Sequence, residues 1–515
     1  MNAKSIWFKV LSLVLCAMVL GSGFAASADD GSEPSTSGYS ISNPYENIDW
    51  ETINQYKTAL HTHTNASDGD DTLAESIERH YETGFDVVST TDHSVVNYSW
   101  TDTSKGANLV TAVMELIGKT DGELVYLQEK GGSFSNGVGY EVVTRNGDDY
   151  LITEDGREIM RIPYGVEHNA VSVNAHVNAW FADYNRVAPS DYDDAVRNVE
   201  KHGGVSVMNH LGEYTQARYE LFQEDAYDMD NLTYRYYINK FYGYIDKYDT
   251  CIGLDINSKG DGRTRYDRKL WDIMLSKAAE EGSTVTAIAS SDAHQLDKID
   301  TGSTVVLAKE KTTPAIKNAL LNGEILAQST CIANRDELAQ IAEGLKAHYG
   351  ETDLYKEIAD IVVAYDAERE EIIAENDDGQ VGAQWKSIDD EGYLKAATRP
   401  VINSIEVNDE EDTITIDSDN ALIVRWISDG KVIATTKADD KAFDLNDYAD
   451  QIKGYVRAEV FGEGGIIYTQ GFTLNAELAE DDGMDIVFDL GFLDFIFAML
   501  DRYTGLLGRI IGNIF

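Results

Sequence analysis

The sequence is poor in cysteine and proline. It has 3 cysteines and 6 prolines among 515 residues, and Cys16 lies inside the apolar segment at the N-terminus. Only Cys251 and Cys331 remain for the folded part of the chain, which is too few for a disulfide-rich scaffold. Two alternatives stay open for this pair: one disulfide bond, or two buried thiols.

Positive charge is also scarce. The chain has 42 Lys and Arg residues against 90 Asp and Glu residues, for a formal net charge of −48. A field of that sign repels nucleic-acid backbones and anionic membranes and favours divalent cations. We therefore expect no long nucleic acid as a partner, and an anionic substrate needs local positive charge. The oligomeric state stays open.

A long apolar run occurs at the N-terminus. Lys4 and Lys9 precede apolar residues 10–26, and Ala26-Ser27-Ala28 has the small-x-small form of a signal-peptidase site. This pattern predicts a signal peptide over residues 1–28 and a secreted or cell-surface protein of bacterial type. A polar linker is predicted over residues 29–50.

The remaining chain is too long for one core and changes character along its length. Over residues 51–332, apolar β-rich segments alternate with helical patterns, which predicts an α/β fold with parallel strands. Residues 94–163 interrupt that rhythm as an insertion. Residues 333–398 have helical periodicity, and residues 399–478 have a period of two that predicts a small all-β sandwich domain with a packing, spacing or binding role.

The C-terminal tail, residues 479–515, is amphipathic at helical period over residues 492–515. Asp494, Asp501, Arg502 and Arg509 interrupt its apolar runs, which are too short to span a bilayer. Three roles stay open for this segment: docking on its own protein, lying on a membrane surface, or pairing with another chain.

Histidines and carboxylates follow the predicted strands. His61 and His63 come after a short strand, and their spacing places both imidazoles on one face. A helix then begins after Thr72, with Glu75 at the third position and Gly84 at its end, and the next β-rich run leads to Asp92 and His93. Because functional side chains gather at the carboxyl ends of barrel strands, this pattern predicts a metal site.

Five motifs together resemble the PHP (polymerase and histidinol phosphatase) superfamily in content and order. They are His61-Thr62-His63 with Asp68-Gly69, Thr91-Asp92-His93, Gly165-Val166-Glu167, Asn209-His210, and Asp292-Ala293-His294. The resemblance covers roughly residues 52–327. It implies a distorted (β/α)7 barrel, followed here by the helical segment and the β-sandwich, and it implies two or three divalent metal ions.

The resemblance also implies ligand roles. His61, His63 and Asp292 resemble ligands of a first metal, Glu167 a bridging carboxylate, Asp68 and His93 ligands of a second metal, and His176, His210 and His294 a third set. His168 stays an alternative to His176. Imidazoles and carboxylates without thiolate suit Zn, Mn or Fe.

Seven further residues receive supporting or uncertain roles from their positions. Asp92 is expected to orient a ligand or a strand end, and Asp255 to be a structural carboxylate. His80, His202 and His348 are expected to be structural or surface residues. Arg263 and Arg268 follow the strand that ends at Asp255 and are candidates for binding a substrate phosphate, or else belong to a solvated loop.

These residues lead to a hydrolase hypothesis. Hydroxide formed at the metal ions would attack a phosphoester, with His176 or His210 assisting the leaving group. The expected protein is an exported phosphoesterase acting on a nucleotide, a sugar phosphate or a polyol phosphate. The alternatives are an exonuclease or oligonucleotide phosphodiesterase, an amidohydrolase-like C–N hydrolase, and a non-catalytic surface-binding module.

Overall fold

The computed structural model describes most of the chain between residues 38 and 474. The described residues are 38–102, 112, 116, 124–169, 176–184, 192–215, 217–257, 264, 266–332, 334–375, 398–440 and 442–474. The predicted signal peptide and the C-terminal tail lie outside these ranges, as do Lys259, Arg263 and Arg265. No described helix combines the length and the apolar character that crossing a bilayer requires.

Strands and helices alternate through the first half of the chain, and strands fill the last part. The strands are β1 (Ile41–Ser42), β2 (Asn54–Ala59), β3 (Val87–Val88), β4 (Gly132–Ser133), β5 (Gly139–Arg145), β6 (Asp148–Thr153), β7 (Glu158–Arg161), β8 (Val166–Asn169), β9 (His176–Trp180), β10 (Val205–Met208), β11 (Cys251–Asp255), β12 (Thr286–Ile288), β13 (Gly302–Ala308), β14 (Ile325–Ser329), β15 (Val401–Asn408), β16 (Thr413–Asp419), β17 (Ile423–Ser428), β18 (Lys431–Lys437), β19 (Phe443–Asp444), β20 (Tyr455–Gly462), β21 (Gly465–Tyr468) and β22 (Phe472–Leu474).

The helices are α1 (Leu73–Glu82), α2 (Tyr192–Lys201), α3 (Leu211–Tyr214), α4 (Leu232–Lys247), α5 (Asp267–Glu280), α6 (Thr313–Asn322), α7 (Arg335–Tyr349) and α8 (Asp353–Glu375). Helix α1 begins as its sequence predicts. Thr72 and Glu75 form a reciprocal capping box, which satisfies two backbone N–H groups that the first turn leaves without partners. The chain leaves the helix at Gly84, whose φ of 83° favours glycine.

The sheets make the fold a mixed α/β structure. Strands β2, β3 and β7 pair in parallel in one sheet, and β10, β11 and β12 pair in parallel in another. Strand β9 is antiparallel to both β8 and β10, unlike the parallel pairing that the sequence predicts. The six residues between β8 and β9 explain the antiparallel pairing of those two strands, because a parallel crossover needs a dozen or more.

Two isolated backbone bridges connect these two sheets. Thr62, after β2, pairs with Ala293, after β12, and His93, after β3, pairs with Glu167 of β8. Both bridges are parallel, and both lie next to histidines and carboxylates of the predicted metal site. The strand ends that carry those side chains are therefore hydrogen-bonded to one another.

The predicted insertion is partly integrated into the central sheet. Strands β4, β5, β6 and β7 form an antiparallel series, and β7 then pairs in parallel with β3. Ile159 and Met160 of β7 are fully buried. Residues 158–161 thus belong to the framework around the site, although they lie inside the segment that the sequence sets apart.

The predicted helical segment contains two helices. Helix α7 ends at Gly350, which adopts a φ of 76°, and α8 begins at Asp353. The last part of the segment, residues 376–397, lies outside the described residues. Upstream of both helices, Cys251 and Cys331 are buried and form no disulfide bond, which decides for two thiols.

The β-rich region consists of two layers that share a core. Strands β15, β16 and β19 form one sheet, and Ile402 and Ile414 from that sheet pack in a cluster with Trp426, Val456 and Phe472. Strand β21 pairs with β14, so backbone hydrogen bonds cross the boundary predicted at residue 332. The β-rich region and the first half of the chain therefore share one sheet.

A buried ionic network also connects these two parts. Arg457 of β20 donates two hydrogen bonds to Asp272 of α5, at 2.6 and 2.7 Å, and Tyr455 donates a third at 2.8 Å. Glu459 accepts from Arg457 at 2.7 Å and from Arg425 at 2.6 Å. Removing one member of a buried, paired set is costly because it leaves an opposite charge without compensation.

We predict that Asp272→Ala lowers the free energy of unfolding by about 3–5 kcal/mol, since Arg457 loses its bidentate partner. The control is Lys431→Ala, which removes an exposed pair with Asp429 and should cost less than about 1 kcal/mol. Urea unfolding of both variants measures the difference. An equal loss of unfolding free energy in the two variants would show that the buried network contributes no more to stability than an exposed ion pair.

Candidate metal centre

Nine side chains converge where the bridged strands end. They come from the residues after β2, the residues after β3, strand β8, the start of β9, the residue after β10 and the residues after β12. Four overlapping groups connect them, and each group places its ligand atoms within 4.8 Å of one another. The full set is His61, His63, Asp68, His93, Glu167, His176, His210, Asp292 and His294.

The first group is centred between His61 and His63. Their Nε2 atoms lie 3.1 Å apart, and Asp292 Oδ1 lies 3.1 Å from the first and 3.0 Å from the second. Glu167 approaches the same two nitrogen atoms at 3.5 and 3.4 Å. Donor atoms bonded to one tetrahedral zinc ion at about 2.1 Å lie about 3.4 Å apart, so this group fits a metal ion.

Glu167 directs its two oxygens to different neighbours. Its Oε1 lies 3.0 Å from His176 Nδ1 and 3.2 Å from His210 Nε2, and it accepts a hydrogen bond from Asn209 at 2.8 Å. Its Oε2 lies 2.8 Å from His93 Nδ1. A fully buried carboxylate with this division of contacts has the geometry of a bridge between adjacent metal positions.

Asp68 gathers the remaining group. Its oxygens lie 3.4 Å from His93 Nε2, 3.4 Å from His294 Nε2 and 3.5 Å from His63 Nδ1. The grouping implied by the resemblance needs a correction here, because His294 sits with Asp68 and His93 rather than with His176 and His210. The His294 ring stacks on His63 at 4.3 Å, which turns it toward Asp68.

His176, rather than His168, lies in the cluster. His168 is adjacent to Glu167 in β8, so its side chain points to the opposite face of the strand, where it contacts Tyr184. Burial lowers the pKa of His168 to about 4. The alternation of β8 thus decides a choice that the sequence leaves open.

The other three histidines contact backbone carbonyls outside the cluster. His80 Nδ1 lies 2.7 Å from Ser76 O, His202 Nδ1 lies 2.7 Å from Asn198 O, and His348 Nε2 lies 2.9 Å from Thr435 O. These contacts agree with the structural roles expected for the three residues.

Close packing shifts the pKa values of the neighbouring imidazoles of His61 and His63 in opposite directions. Burial opposes protonation of His61, but the carboxylates of Asp292 and Glu167 outweigh it and raise the pKa of His61 to about 10. Burial and the nearby His294 and His93 lower the pKa of His63 to about 3. Burial would raise the pKa of Glu167, yet the surrounding imidazoles hold it well below the usual range.

Two of the nine residues have a left-handed backbone. His210 has a φ of 34° and Asp292 a φ of 45°, a region that costs a non-glycine residue about 1–3 kcal/mol. His210 is the second residue after β10 and Asp292 the fourth after β12, and both side chains lie in the cluster. This is backbone strain at the positions where donor atoms converge.

Two carboxylates support the cluster from outside. Asp92 accepts hydrogen bonds from Thr64 N at 2.7 Å, Thr64 Oγ1 at 2.8 Å and Ser67 Oγ at 2.8 Å, and so holds the loop that follows His63. Asp255 accepts from Ser290 Oγ, and its Oδ2 lies 4.0 Å from His61 Nδ1. Outer carboxylates beside a ligating histidine orient the ring.

The sequence reasoning misses Tyr214. Its ring lies 5.3 Å from the His176 ring and 5.5 Å from the His210 ring, between centroids. Burial and the nearby Glu213 raise the pKa of Tyr214 well above its usual range, so the hydroxyl keeps its proton. Its spacing of four residues from His210 on α3 was the available signal.

Neither predicted phosphate-binding arginine is placed at the cluster. Arg263 lies outside the described residues. Arg268 is buried and donates from Nε to Glu337 at 2.7 Å and from Nη1 to Asn257 at 3.2 Å. These contacts give Arg268 a structural role in place of the predicted contact with a substrate phosphate.

Solved structures with similarity to this chain include metal-dependent enzymes. A two-domain protein containing a predicted PHP-like metal-dependent phosphoesterase from Bacteroides vulgatus is 15% identical, with a TM-score of 0.32, over 86% of this chain and 91% of that one. A lesion-specific endonuclease from Pyrococcus furiosus is 13% identical, with a TM-score of 0.28, over 52% of this chain and 56% of that one.

An amidohydrolase from Chromobacterium violaceum is 13% identical, with a TM-score of 0.23, over 46% of this chain and 87% of that one. No protein-family model matches the chain, and no curated protein does. The identities and TM-scores are too low to transfer a fold or an activity, so the proposal below depends on the residues of the centre.

We predict that divalent ions stabilise chelator-treated protein, because they compensate the buried carboxylates of Glu167 and Asp292. At a free ion concentration of 100 times Kd the gain is about 2.7 kcal/mol. Calorimetric Tm with Zn²⁺ or Mn²⁺, together with elemental analysis of bound metal, measures the effect.

Two variants make this prediction specific. Asp292→Asn should lose most of the gain, whereas Asp297→Asn, an exposed carboxylate five residues further on, should keep it. An unchanged Tm of the wild-type protein with every ion tested would show that the cluster does not bind metal.

Proposed function

We propose that this protein is an exported metal-dependent phosphoesterase that hydrolyses a small phosphorylated substrate such as a nucleotide, a sugar phosphate or a polyol phosphate. One observation carries the proposal: the four donor groups overlap, because His61, His63, His93 and Glu167 each belong to two of them. His63 Nε2, for example, lies 3.4 Å from Glu167 and 3.0 Å from Asp292. Shared carboxylates and imidazoles at this spacing are typical of polynuclear hydrolytic centres.

We propose two or three divalent ions, of Zn, Mn or Fe, as the cofactor. The first position would be held by His61, His63 and Asp292, and Glu167 would lie between it and the position of Asp68 and His93. Glu167 and His210 would hold another position. Asp68, His93 and His294 would hold the third. Ions bound there would supply an activated water and would neutralise charge on phosphoryl oxygens.

The residues of the chain divide the remaining tasks. Glu167 and Asp292 hold the imidazoles in place, and Asp92 and Asp255 fix the loops that carry them. We assign protonation of the leaving oxygen to Nε2 of His176 in place of metal binding, with its Nδ1 paired to Glu167 Oε1 at 3.0 Å. Its side chain retains 10% exposure, whereas that of His210 retains 1%. General acid catalysis by histidine contributes typically about 10²–10⁴-fold.

Three further features belong to the same proposal. We infer that β2, β3 and β8–β12 form a distorted seven-stranded barrel, supported by the bridges Thr62–Ala293 and His93–Glu167. The N-terminal sequence of residues 1–28 supports export. The net charge of −48 favours a small substrate over a long polyanion.

We predict that His176→Ala lowers kcat/KM about 10²–10⁴-fold for an alkyl phosphate but far less for p-nitrophenyl phosphate. The reason is that p-nitrophenolate leaves without taking up a proton. Steady-state kinetics of the metal-loaded enzyme with both esters measures the contrast. His202→Ala, which removes an exposed histidine at the end of α2, is the control and should stay within about twofold of wild type.

A panel of phosphomonoesters, phosphodiesters and amides tests the reaction class. Robust hydrolysis of amides without phosphoesterase activity would replace the proposal with a C–N hydrolase. Metal-loaded protein that is inert toward the whole panel would leave a binding module as the function.

A further inference from the structure

Strand β12 leads directly into the metal centre. Ser290, Asp292 and His294 follow it within six residues, and Ser290 contacts the carboxylate of Asp255 that lies beside His61. The position of this short strand therefore affects ligands at two places in the cluster. Strand β12 has only three residues, so it forms few backbone hydrogen bonds with its neighbouring strand that could hold it in position.

One edge of β12 is paired in the ordinary way. Its residues are in parallel register with β11, and the carbonyl of Ile288 accepts a hydrogen bond from Ile256 N at 2.9 Å. In a parallel pair, alternate residues direct both backbone groups to opposite edges. Ala287 and Ala289 therefore present their backbone groups to the edge that faces away from β11.

On that second edge, side chains take the place of a strand. Among the described residues, no strand pairs with β12 there. The N–H of Ala287 donates to Gln470 Oε1 at 2.9 Å, and Gln470 Nε2 donates to the carbonyl of Ala287 at 2.9 Å. Thr304 Oγ1 makes the equivalent pair of contacts with Ala289, at 3.3 and 2.9 Å.

Gln470 is itself held rigidly and belongs to the β-rich region. Its backbone N–H donates to the hydroxyl of Tyr45 at 2.8 Å, and that hydroxyl donates to Ile325 O at 3.1 Å. Gln470 is 2% exposed and Tyr45 is 1% exposed, so water cannot replace either partner. The amide thus acts as a fixed segment of backbone for β12.

We propose that Gln470 is a positioning residue for the metal centre. By completing the open edge of β12, it holds the segment from Ser290 to His294 in register and makes the β-rich region part of the metal site. This inference depends on the proposed function only in requiring that the centre binds metal. It assigns to residues 399–478 a task beyond packing or spacing.

The test is Gln470→Leu in the full mature chain, with Gln55→Leu as the matched control. Gln55 also connects the first half to the β-rich region, through Nε2 to Ile402 O at 2.6 Å, but it does not contact β12. Calorimetric titration of chelator-treated protein with Mn²⁺ gives Kd, and the visible spectrum of the Co²⁺ form reports ligand geometry. Hydrogen exchange of residues 285–294 reports the strand itself.

Gln470→Leu should weaken Mn²⁺ binding about 10-fold, the low end of what loss of a ligand's hydrogen-bond partner costs, because Gln470 acts on the ligands through the strand. It should also change the Co²⁺ spectrum and speed exchange over residues 285–294. Gln55→Leu should leave all three readouts within about twofold of wild type. Should Gln470→Leu fail to fold, Tyr45→Phe, which removes only the hydroxyl behind Gln470, should shift the readouts in the same direction by a smaller amount.

The outcomes separate the two proposals. Wild-type protein that binds no metal overturns both of them. Wild-type binding with an unchanged Kd and spectrum in Gln470→Leu overturns the positioning role alone, as does an equal loss in Gln55→Leu. If the protein has no phosphoesterase activity, the Kd for Mn²⁺ can still be measured, and that result counts against the proposed function only.

Discussion

Burial of carboxylates among imidazoles is the constraint on which the centre depends. Glu167 and Asp292 are almost fully buried, and a buried charge is tolerated only where opposite charge or hydrogen-bond donors compensate it. The histidines around them lie at 2.8–3.5 Å and cannot all be protonated, as the opposite pKa shifts of His61 and His63 show. Bound cations relieve both problems at once, which is why this arrangement favours metal binding.

Much of the surrounding structure maintains that arrangement. The bridges Thr62–Ala293 and His93–Glu167 bring strand ends together, and Asp92 fixes the loop after His63. The strained backbone at Asp292 persists because neighbouring contacts determine it. Hydrogen bonds outside the centre, including those of Gln470 in the β-rich region, thus offset the free energy of burying the carboxylates and straining the backbone.

The fold and the site were predictable from sequence to different extents. Alternation of apolar runs indicated the α/β character of residues 51–332, and the Thr72–Glu75 capping box indicated the start of α1, because both signals are local. The antiparallel pairing of β9 and the inclusion of β7 in the central sheet were not predictable, since pairing partners depend on distant segments. The nine predicted site residues lie together, with His294 beside Asp68 and His93 rather than beside His176 and His210, and their metal-binding roles remain a prediction.

The sequence by itself determined which side chains can bind metal, because residue type fixes donor chemistry and strand periodicity fixes the face on which His61 and His63 lie. Tertiary structure alone decided His176 over His168, placed Arg268 against Glu337 and set Gln470 on the edge of β12. These relations join residues that are far apart in the chain or depend on which face of a strand meets a neighbour. Packing decides such relations, and no short window of sequence records them.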